Sequence, residues 1–260
     1  MKKFEIKKSL RGGGKRREAR DIVRGAGEPA FTLAEVLITL GIIGVVAALT
    51  IPSVVSHYKK QEVVTKLKTV ESLFSQMLNF SIAENGDPQN WDLAADNGTS
   101  ASAANYKKSA IRITEKYFLP YLKTSHYYGY TTLKDAGYPI YYRADGGLQK
   151  WNFDTLDANA CIIEIPNGMT VFLRPNVTVS NNLWSFLVYV DINGKKGPNI
   201  WGRDMFLAAI DVNKGKFYWN GAEYSRNTLK DHCAGTDATQ CGALIRLDGY
   251  EIKPDYPIKI

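Results

Sequence analysis

Histidine and cysteine are scarce in this sequence, with three of each among 260 residues. The histidines, His57, His126 and His232, lie in unrelated sequence surroundings, and no spacing of His, Cys, Asp and Glu is typical of a metal site. The sequence also lacks a nucleophile elbow and a glycine-rich phosphate loop. No residue is a credible general base, so we predict that the protein is not an enzyme.

Excess charge is nearly absent after the first thirty residues. Residues 1–30 hold ten Lys or Arg and four Asp or Glu, a net charge of +6, whereas the whole chain carries +7. The basic character therefore belongs to the N-terminal segment and does not indicate that the remainder binds nucleic acid. By the positive-inside rule, this segment stays in the cytoplasm and the chain beyond the next apolar stretch is exported.

Charge is also missing from the stretch Ala30 to Thr50, AFTLAEVLITLGIIGVVAALT, apart from Glu35. About 20 apolar residues cross the hydrocarbon core of a bilayer as a helix, so this length predicts a membrane segment. An acidic side chain at the centre of such a helix costs roughly 2.5–3.5 kcal/mol, and less near the interface. Because of this cost, we predict that a cation neutralises Glu35.

Two other interpretations of the apolar run stay open. It could be an ordinary secretory signal whose apolar part ends near Ala47-Ala48, or an uncleaved signal anchor. Glu35 within the run and the pair Glu28-Pro29 before it are unusual for a secretory signal. Of the two alternatives, the signal anchor is therefore the stronger.

A long helix is predicted from Phe31 to the turn-forming cluster Asn85-Gly86-Asp87-Pro88. Its second half carries apolar residues at spacings of three and four, which predicts packing against a sheet. This stripe comprises Val63, Leu67, Val70, Phe74 and Met77. Pro52 removes one backbone hydrogen bond between the two halves, so it predicts a static kink or local fraying.

Strand patterns separated by turn residues dominate the C-terminal part. The predicted strands are Cys161–Ile165, Met169–Arg174, Trp184–Ile192, Met205–Asp211, Lys216–Trp219 and an edge strand at Leu244–Leu247. Several hairpins after one helix indicate an antiparallel sheet and an α+β fold.

The middle of the chain gives weaker signals. We expect a loop at Asn97–Ala104 and a short helix at Ser109–Tyr121. Tyrosines are frequent from Tyr117 to Tyr142. They bury area while keeping a polar tip, so we expect them to pack the edge of the domain, with sugar stacking or a subunit contact as alternatives.

The sequence Phe31-Thr-Leu-x-Glu35, after a basic leader and a small residue, resembles the N-terminal signature of type IV prepilins and type II secretion pseudopilins. The resemblance extends from Ala30 to Val55. It implies that prepilin peptidase cuts between Ala30 and Phe31, that a methyltransferase activity caps the Phe31 amine, and that Glu35 pairs with such an amine during assembly. Two features depart from the family pattern, namely Ala30 where glycine is usual and a leader as long as thirty residues.

The resemblance also implies a domain order: a cleaved leader (1–30), a membrane-spanning or filament-core half-helix (31–55), an amphipathic half-helix (56–85) and an extracytoplasmic pilin-like head (86–260). Such a protein is a structural subunit that waits in the lipid of the bacterial inner membrane. An assembly platform with an ATPase then adds it to identical or related subunits in a periplasmic or extracellular filament. The alternative is a minor pilin or anchored adhesin whose head binds a glycan, a surface or DNA.

Two C-terminal segments add to the resemblance, the loop from Asp191 to Asp204 and the ending from Cys241 to Pro257. In the family, a disulfide closes just before a final strand. Cys233 and Cys241 enclose a short polar loop that a disulfide could close in an oxidising compartment. Cys161 would then remain as a buried apolar thiol.

Some major pseudopilins bind calcium in C-terminal loops. The resemblance therefore makes Asp191, Asn193 and Asp204 candidate ligands, because calcium takes oxygen donors. Lys195 and Lys196 lie in the same loop and oppose a cation. The alternative is a hairpin turn with an Asx cap. No other cofactor is expected.

Overall fold

The structure is a computed structural model that describes residues 31–92, 103–139, 141–147, 159–178, 183–197, 199–211 and 213–260. The predicted leader, including Ala30, and most of the loop predicted at Asn97–Ala104 lie outside these residues. The chain divides into two compact units, of which one ends at Ile51 and the other spans Pro52–Ile260.

Four α-helices and eight strands make up the regular structure of the described residues. The helices are α1 Leu33–Asn85, α2 Ala103–Ile113, α3 Arg226–Ala234 and α4 Cys241–Leu247. The strands are β1 His126–Thr132, β2 Tyr141–Tyr142, β3 Asn159–Ile165, β4 Met169–Thr178, β5 Leu183–Asp191, β6 Asn199–Ile200, β7 Met205–Asp211 and β8 Lys216–Trp219. Short 3₁₀ and π segments lie at Pro88–Asn90, Thr114–Phe118 and Leu119–Tyr121.

Six strands form one antiparallel sheet in the order β1-β3-β4-β5-β7-β8. Strands β2 and β6 form a separate parallel pair. The long helix and this sheet confirm the α+β prediction, and β7 and β8 have the predicted bounds. The hairpin between β3 and β4 turns at Pro166-Asn-Gly, between two predicted strands, with Asn167 and Gly168 at positive φ.

The predicted stripe on the second half of α1 is buried, which confirms its packing role. The Phe74 ring stacks on Phe217 of β8 with centroids 5.4 Å apart, and Phe118 meets Phe186 of β5 edge to face. Phe186 and Phe217 both pair with Ile210 across neighbouring strands, so they share one face of the sheet. That face is therefore covered by α1 and by the π segment.

The opposite face of the sheet is covered by loops. Phe172 and Tyr189 are direct cross-strand partners and so lie on this face together. Tyr138 packs edge to face on Phe172, and Trp201 does so on Tyr189, with centroids 5.2 and 6.0 Å apart. Both sheet faces are thus buried, which explains why β3 contains four consecutive apolar residues, 160–163, rather than an alternating pattern.

The predicted disulfide is confirmed. Cys233 at the end of α3 is bonded to Cys241 at the start of α4, with 4.8 Å between the Cα atoms. Cys161 is a buried free thiol on β3, as predicted. Burial raises the pKa of this thiol to about 11, so it stays protonated at neutral pH.

Two predictions about secondary structure were wrong. Leu244–Leu247 belongs to helix α4, and residues 248–260 after it contain no strand. A run of four apolar residues fits a helix as well as a strand, and here Leu244 and Ile245 are buried as parts of one short helix. The helix predicted at Ser109–Tyr121 instead begins at Ala103 and changes to π and 3₁₀ turns after Ile113. Strand β1 was not predicted at all.

Candidate functional site

The start of α1 is built by a reciprocal pair of hydrogen bonds between Thr32 and Glu35. The Thr32 backbone N–H and hydroxyl both donate to Oε2 of Glu35, each at 2.9 Å, and the Glu35 N–H donates to Oγ1 of Thr32 at 3.2 Å. This arrangement is a capping box, which satisfies backbone donors that a helix otherwise leaves unpaired at its first turn. Phe31, just before it, is 85% exposed.

The capping box was not predicted, although the sequence carries a signal for it. The pattern Thr-x-x-Glu before an apolar run predicts such a box, and Thr32-Leu-Ala-Glu35 fits it. The first role of the Glu35 carboxylate is therefore local, since it caps its own helix. Pairing with an amine, as the resemblance implies, stays a prediction.

An uninterrupted apolar surface follows the capping box. Its exposed large side chains are Leu33, Val36, Leu37, Ile38, Leu40, Ile42, Ile43, Val45, Val46, Leu49, Ile51, Val54 and Val55. Burying one Leu, Ile or Val side chain is worth about 1.5–3 kcal/mol. Leaving thirteen of them in water would therefore cost tens of kcal/mol, so this surface requires an apolar neighbour.

The first half of α1 is suitable for crossing a membrane. Its most apolar window has a mean hydropathy of 2.3, and none of that window is buried. By length and composition this helix could cross a membrane, and a signal sequence near an N-terminus has the same properties. The assigned helix continues through Pro52 to Asn85. Whether Pro52 kinks or frays the helix stays a prediction.

The candidate calcium ligands lie in what we call the Asp191 loop, residues 191–204. Asp191 is fully buried at the end of β5. Its Oδ1 accepts the N–H groups of Asn193 and Gly194 at 3.0 and 2.8 Å, and its Oδ2 accepts the side-chain amide of Asn199 at 3.2 Å. The Asx turn that was the alternative to calcium is therefore present, and it brings Asp191 and Asn193 together.

Asp204 is oriented differently. Its Oδ2 accepts the Ile200 N–H at 3.3 Å and Nε of Arg203 at 3.0 Å. Burial raises the pKa of Asp204, and the neighbouring Arg203 only partly opposes this effect. Asp204 therefore stabilises its own turn, and its hydrogen bonds do not connect it to Asp191.

Two side-chain oxygens of the Asp191 loop support a cation site, although the Asx turn is present. Oδ1 of Asn193 and Oδ1 of Asn199 are buried without a hydrogen-bond partner among the described residues. Both belong to residues that already contact the Asp191 carboxylate. Calcium binds amide and carboxylate oxygens, so Asn199 becomes an additional candidate ligand. Asp204 becomes a weaker candidate, because its carboxylate is hydrogen-bonded within its own turn. Calcium binding stays a prediction.

Lys195 does not approach the Asp191 carboxylate. Its Nζ donates to the Tyr128 hydroxyl at 2.7 Å and lies 4.7 and 5.1 Å from the ring centroids of Tyr128 and Tyr138. Oε1 of Glu164 accepts both tyrosine hydroxyls, at 2.8 and 3.0 Å. The Lys195 ammonium group is thus held by aromatic faces. Its charge therefore does not oppose a cation bound beside Asp191.

The tyrosine-rich segment has the packing role that we expected. Tyr117 and Tyr138 are buried, and Tyr117 stacks on Trp91 with centroids 4.4 Å apart. Tyr121, Tyr127, Tyr128 and Tyr130 pack against the core while partly exposed. Their hydroxyls serve internal partners, among them Glu164 and Asn85.

The loop and the disulfide share one close contact at Gly202. Its backbone has a φ of +76°, and an added Cβ would lie 2.7 Å from Sγ of Cys241 and 2.9 Å from Ile258. The Gly202 carbonyl also accepts the Tyr256 hydroxyl at 2.5 Å. Only glycine fits here, because both the conformation and the space exclude a side chain.

The predicted absence of catalysis is not tested, but the histidines can be placed. His126 and His232 each pack edge to face on a tyrosine, Tyr128 and Tyr224 respectively, and His57 is exposed on α1. Within the described residues, no group of three or more His, Cys, Asp and Glu side chains could hold a metal ion. The candidate calcium oxygens include amides, so they are not a group of that kind.

These features define a class of protein: an α+β head domain carried on a helix whose apolar half is long enough to cross a membrane. Residues 53–260 match the model of a family described as a family of unknown function (DUF6613), and the chain belongs to that family. The match begins next to Pro52, where the second compact unit also begins. Comparison with curated proteins gave no match, and neither did comparison with solved structures.

Proposed function

We propose that the protein is a structural subunit of a type IV pilus or of a type II secretion pseudopilus. The observation that carries the proposal is the exposed apolar half of α1, which has one carboxylate at its start and whose helix continues into a second half with a buried stripe. A signal peptide would not need to continue into the core of the head. A plain anchor would use a carboxylate at its first turn only as a helix cap.

The proposed pathway begins in the bacterial inner membrane, where lipid covers the apolar half of α1. Prepilin peptidase cuts between Ala30 and Phe31 and a methyltransferase activity caps the new amine. An ATP-driven platform then moves the subunit from lipid into the filament, where helices of other subunits replace the lipid. Because both neighbours are apolar, the transfer is close to balanced in free energy.

Glu35 supplies the register in this proposal. A carboxylate on an apolar helix is costly unless a cation meets it. In a staggered stack, the amine of Phe31 in one subunit can meet Glu35 of the next. Only one stagger satisfies every carboxylate, so the charge pair selects it, as buried polar groups select register in coiled coils.

The head adds little support for the alternative of a glycan- or DNA-binding adhesin. The hydroxyls of Tyr128 and Tyr138, which such a site could use, are bound to Glu164 inside the head. A shaft subunit also predicts high abundance in filaments, whereas an adhesin predicts a trace component.

Intact-mass measurement of the protein from its native membrane tests the proposal directly. The expected mass lacks residues 1–30 and includes one methyl group. Sheared surface or periplasmic filaments are analysed in parallel, and the protein should be a major component of them. A native protein that retains Met1 to Ala30 and stays monomeric would contradict the proposal.

A further inference from the structure

Two tyrosine rings and a carboxylate surround the Lys195 ammonium group beside the edge strand β1. The rings of Tyr128 and Tyr138 are nearly perpendicular, with an interplanar angle of 82° and centroids 6.2 Å apart. Nζ of Lys195 lies 4.7 and 5.1 Å from these centroids and 3.8 Å from Oε1 of Glu164. Aromatic faces attract a cation electrostatically, and a nearby carboxylate adds to that attraction. We call Tyr128, Tyr138 and Glu164 the ammonium cage.

The cage is held together by contacts of its own. The hydroxyls of Tyr128 and Tyr138 donate to Oε1 of Glu164 at 2.8 and 3.0 Å. The Tyr138 side chain is buried and packs edge to face on Phe172 of β4. None of these contacts involves Lys195, so we expect the cage to keep its shape when the lysine leaves. A pre-organised site loses little conformational entropy when a ligand enters it.

The occupant of the cage comes from a different element. Lys195 lies in the Asp191 loop, and its side chain is 42% exposed, so the cage is accessible from solvent. A lysine side chain is long and flexible. It can therefore leave the cage by rotating its own bonds, without movement of the loop backbone. Its attraction to the rings is modest at such an exposed site, so an external cation can compete with it.

We propose that the ammonium cage is a binding site for primary alkylammonium groups, which Lys195 occupies until such a ligand displaces it. The class of ligand follows from the occupant. Nζ of Lys195 donates a hydrogen bond to the Tyr128 hydroxyl at 2.7 Å, and a quaternary ammonium has no N–H group with which to do so. The site lies in the head, so it goes beyond the proposed function and does not depend on assembly of α1 into a filament.

The geometry also predicts how Lys195 limits the affinity. A ligand of only a few heavy atoms gains little binding free energy, so the empty cage should bind a simple alkylammonium in the millimolar range. While Lys195 occupies the cage, the apparent dissociation constant is raised in inverse proportion to the fraction of empty cages. Two cation–π contacts at an exposed site correspond to a factor of roughly 5 to 30. Removing the lysine should therefore tighten binding by that factor.

The test titrates n-butylammonium, which matches the lysine side chain in length, into the full chain in detergent at constant ionic strength. Ligand protons that lie over the rings shift upfield in the NMR spectrum, so this shift reports entry into the cage. Lys195→Ala empties the cage, and Lys195→Ala combined with Tyr128→Leu also removes one wall. Lys196→Ala is the matched control, because Lys196 is exposed in the same loop but has no cation–π contact with either ring in the described part of the chain. The neutral n-butanol controls for charge.

We expect Lys195→Ala to bind n-butylammonium with an upfield shift, and the wild type to bind it roughly 5- to 30-fold more weakly. Lys196→Ala should behave like the wild type. The double variant with Tyr128→Leu should lose both the shift and the binding. Tetramethylammonium should bind Lys195→Ala more weakly than n-butylammonium does. Tyr128→Phe in that background should remove this preference, because it keeps the ring but lacks the hydroxyl.

Each other result contradicts a specific statement. No binding by Lys195→Ala, or equal binding of n-butanol, would show that the cage is not an ammonium site. Equal affinities of the wild type and Lys195→Ala would show that Lys195 does not occupy it. A preference for tetramethylammonium would overturn the assignment to primary amines. Unfolding temperatures measured without ligand establish that each variant is folded, and the Tyr128→Phe comparison decides the question where the Tyr128→Leu variant is not.

Discussion

Trp219 on β8 donates its indole N–H to the Glu71 carboxylate on α1, with 2.9 Å between Nε1 and Oε2. Nε of Arg246 donates to the same carboxylate at 2.9 Å, and the Tyr250 hydroxyl donates to it as well. Glu71 thus connects the N-terminal helix to the last strand of the sheet and to the chain after α4. It is one of the points at which the C-terminal segment is fixed to the core, together with the hydrogen bond from Tyr256 to Gly202.

Replacing Glu71 should destabilise the head. Glu71→Ala leaves the buried Trp219 N–H with only the Tyr250 hydroxyl, 3.2 Å away, as its acceptor, and a lost hydrogen bond to a charged group costs about 1.5–3 kcal/mol. We expect a loss of that size in the free energy of unfolding, measured by tryptophan fluorescence in denaturant on the detergent-solubilised chain. Glu62→Ala, which removes an exposed carboxylate paired with the partly buried Lys66, is the control and should change stability by less than about 0.5 kcal/mol. Equal effects of the two variants would contradict the role of Glu71.

The same carboxylate predicts a dependence of stability on pH. Burial pushes the pKa of Glu71 upward, but hydrogen bonds from Tyr250, Arg246 and Trp219 outweigh burial and hold the pKa below its ordinary value of 4.5. A pKa that is lower in the folded state stabilises the fold above the unfolded value, and this stabilisation disappears as the pH falls through the folded value. We expect the unfolding temperature to be level near neutral pH and to fall below about pH 4.5. Glu71→Gln should reduce that fall, and an unchanged acid slope in this variant would count against the assignment.

The disulfide should protect the segment between α3 and α4. Cys233→Ser opens the loop that Cys233 and Cys241 close, and chain-entropy estimates for so short a loop give a loss of about 2.5 kcal/mol. We expect faster proteolysis between these two residues in non-reducing conditions. Cys161→Ala, which leaves the bridge intact, should not expose this segment. Digestion of Cys233→Ser at the wild-type rate would show that the bridge does not restrain the loop.

Calcium should stabilise the head if the buried amide oxygens bind it. Saturating calcium is expected to raise the unfolding temperature, because a ligand that binds only the folded state adds its binding free energy. Asn199→Leu removes one of the two buried amide oxygens that lack a hydrogen-bond partner among the described residues, so it should abolish the rise. Asn90 is exposed and lies outside the loop, so Asn90→Leu is the control and should keep the rise. Magnesium serves as the ion control. No rise at millimolar calcium would contradict the site.

The variant Glu35→Val should distinguish membrane insertion of the subunit from its assembly into filaments. Valine suits lipid better than a carboxylate, so the variant should insert into the membrane at least as well as the wild type. Assembly should fail because the carboxylate that sets the register is gone. The measurements are the membrane-bound amount and the filament fraction. A normal filament yield would argue that no charge pair is needed.

Much of the sheet could be predicted from local sequence. The run Met205–Asp211 and the run Lys216–Trp219 are rich in apolar and aromatic residues and flank a turn, so both strands formed where predicted. The same logic failed at Leu244–Leu247, because a short apolar run does not distinguish a strand from a buried helix. There, packing of the short helix decided the outcome.

Long-range contacts could not be predicted from the sequence, for a different reason. Glu71 and Trp219 are 148 positions apart, and neither residue type reveals which partner it will meet. Asn199 was missed among the candidate ligands for the same reason, since only the folded loop places its amide against Asp191. The Thr32–Glu35 pair, by contrast, is local, and its pattern could have been recognised in advance.

Gly202 gives the head a further property. Because its backbone lies close to one sulfur of the cross-link, we expect reduction of that bond to alter the shape of the oxygen-lined turn. Any ion held there would be bound more weakly by a reduced molecule, and by thermodynamic reciprocity its release would make the sulfurs easier to reduce.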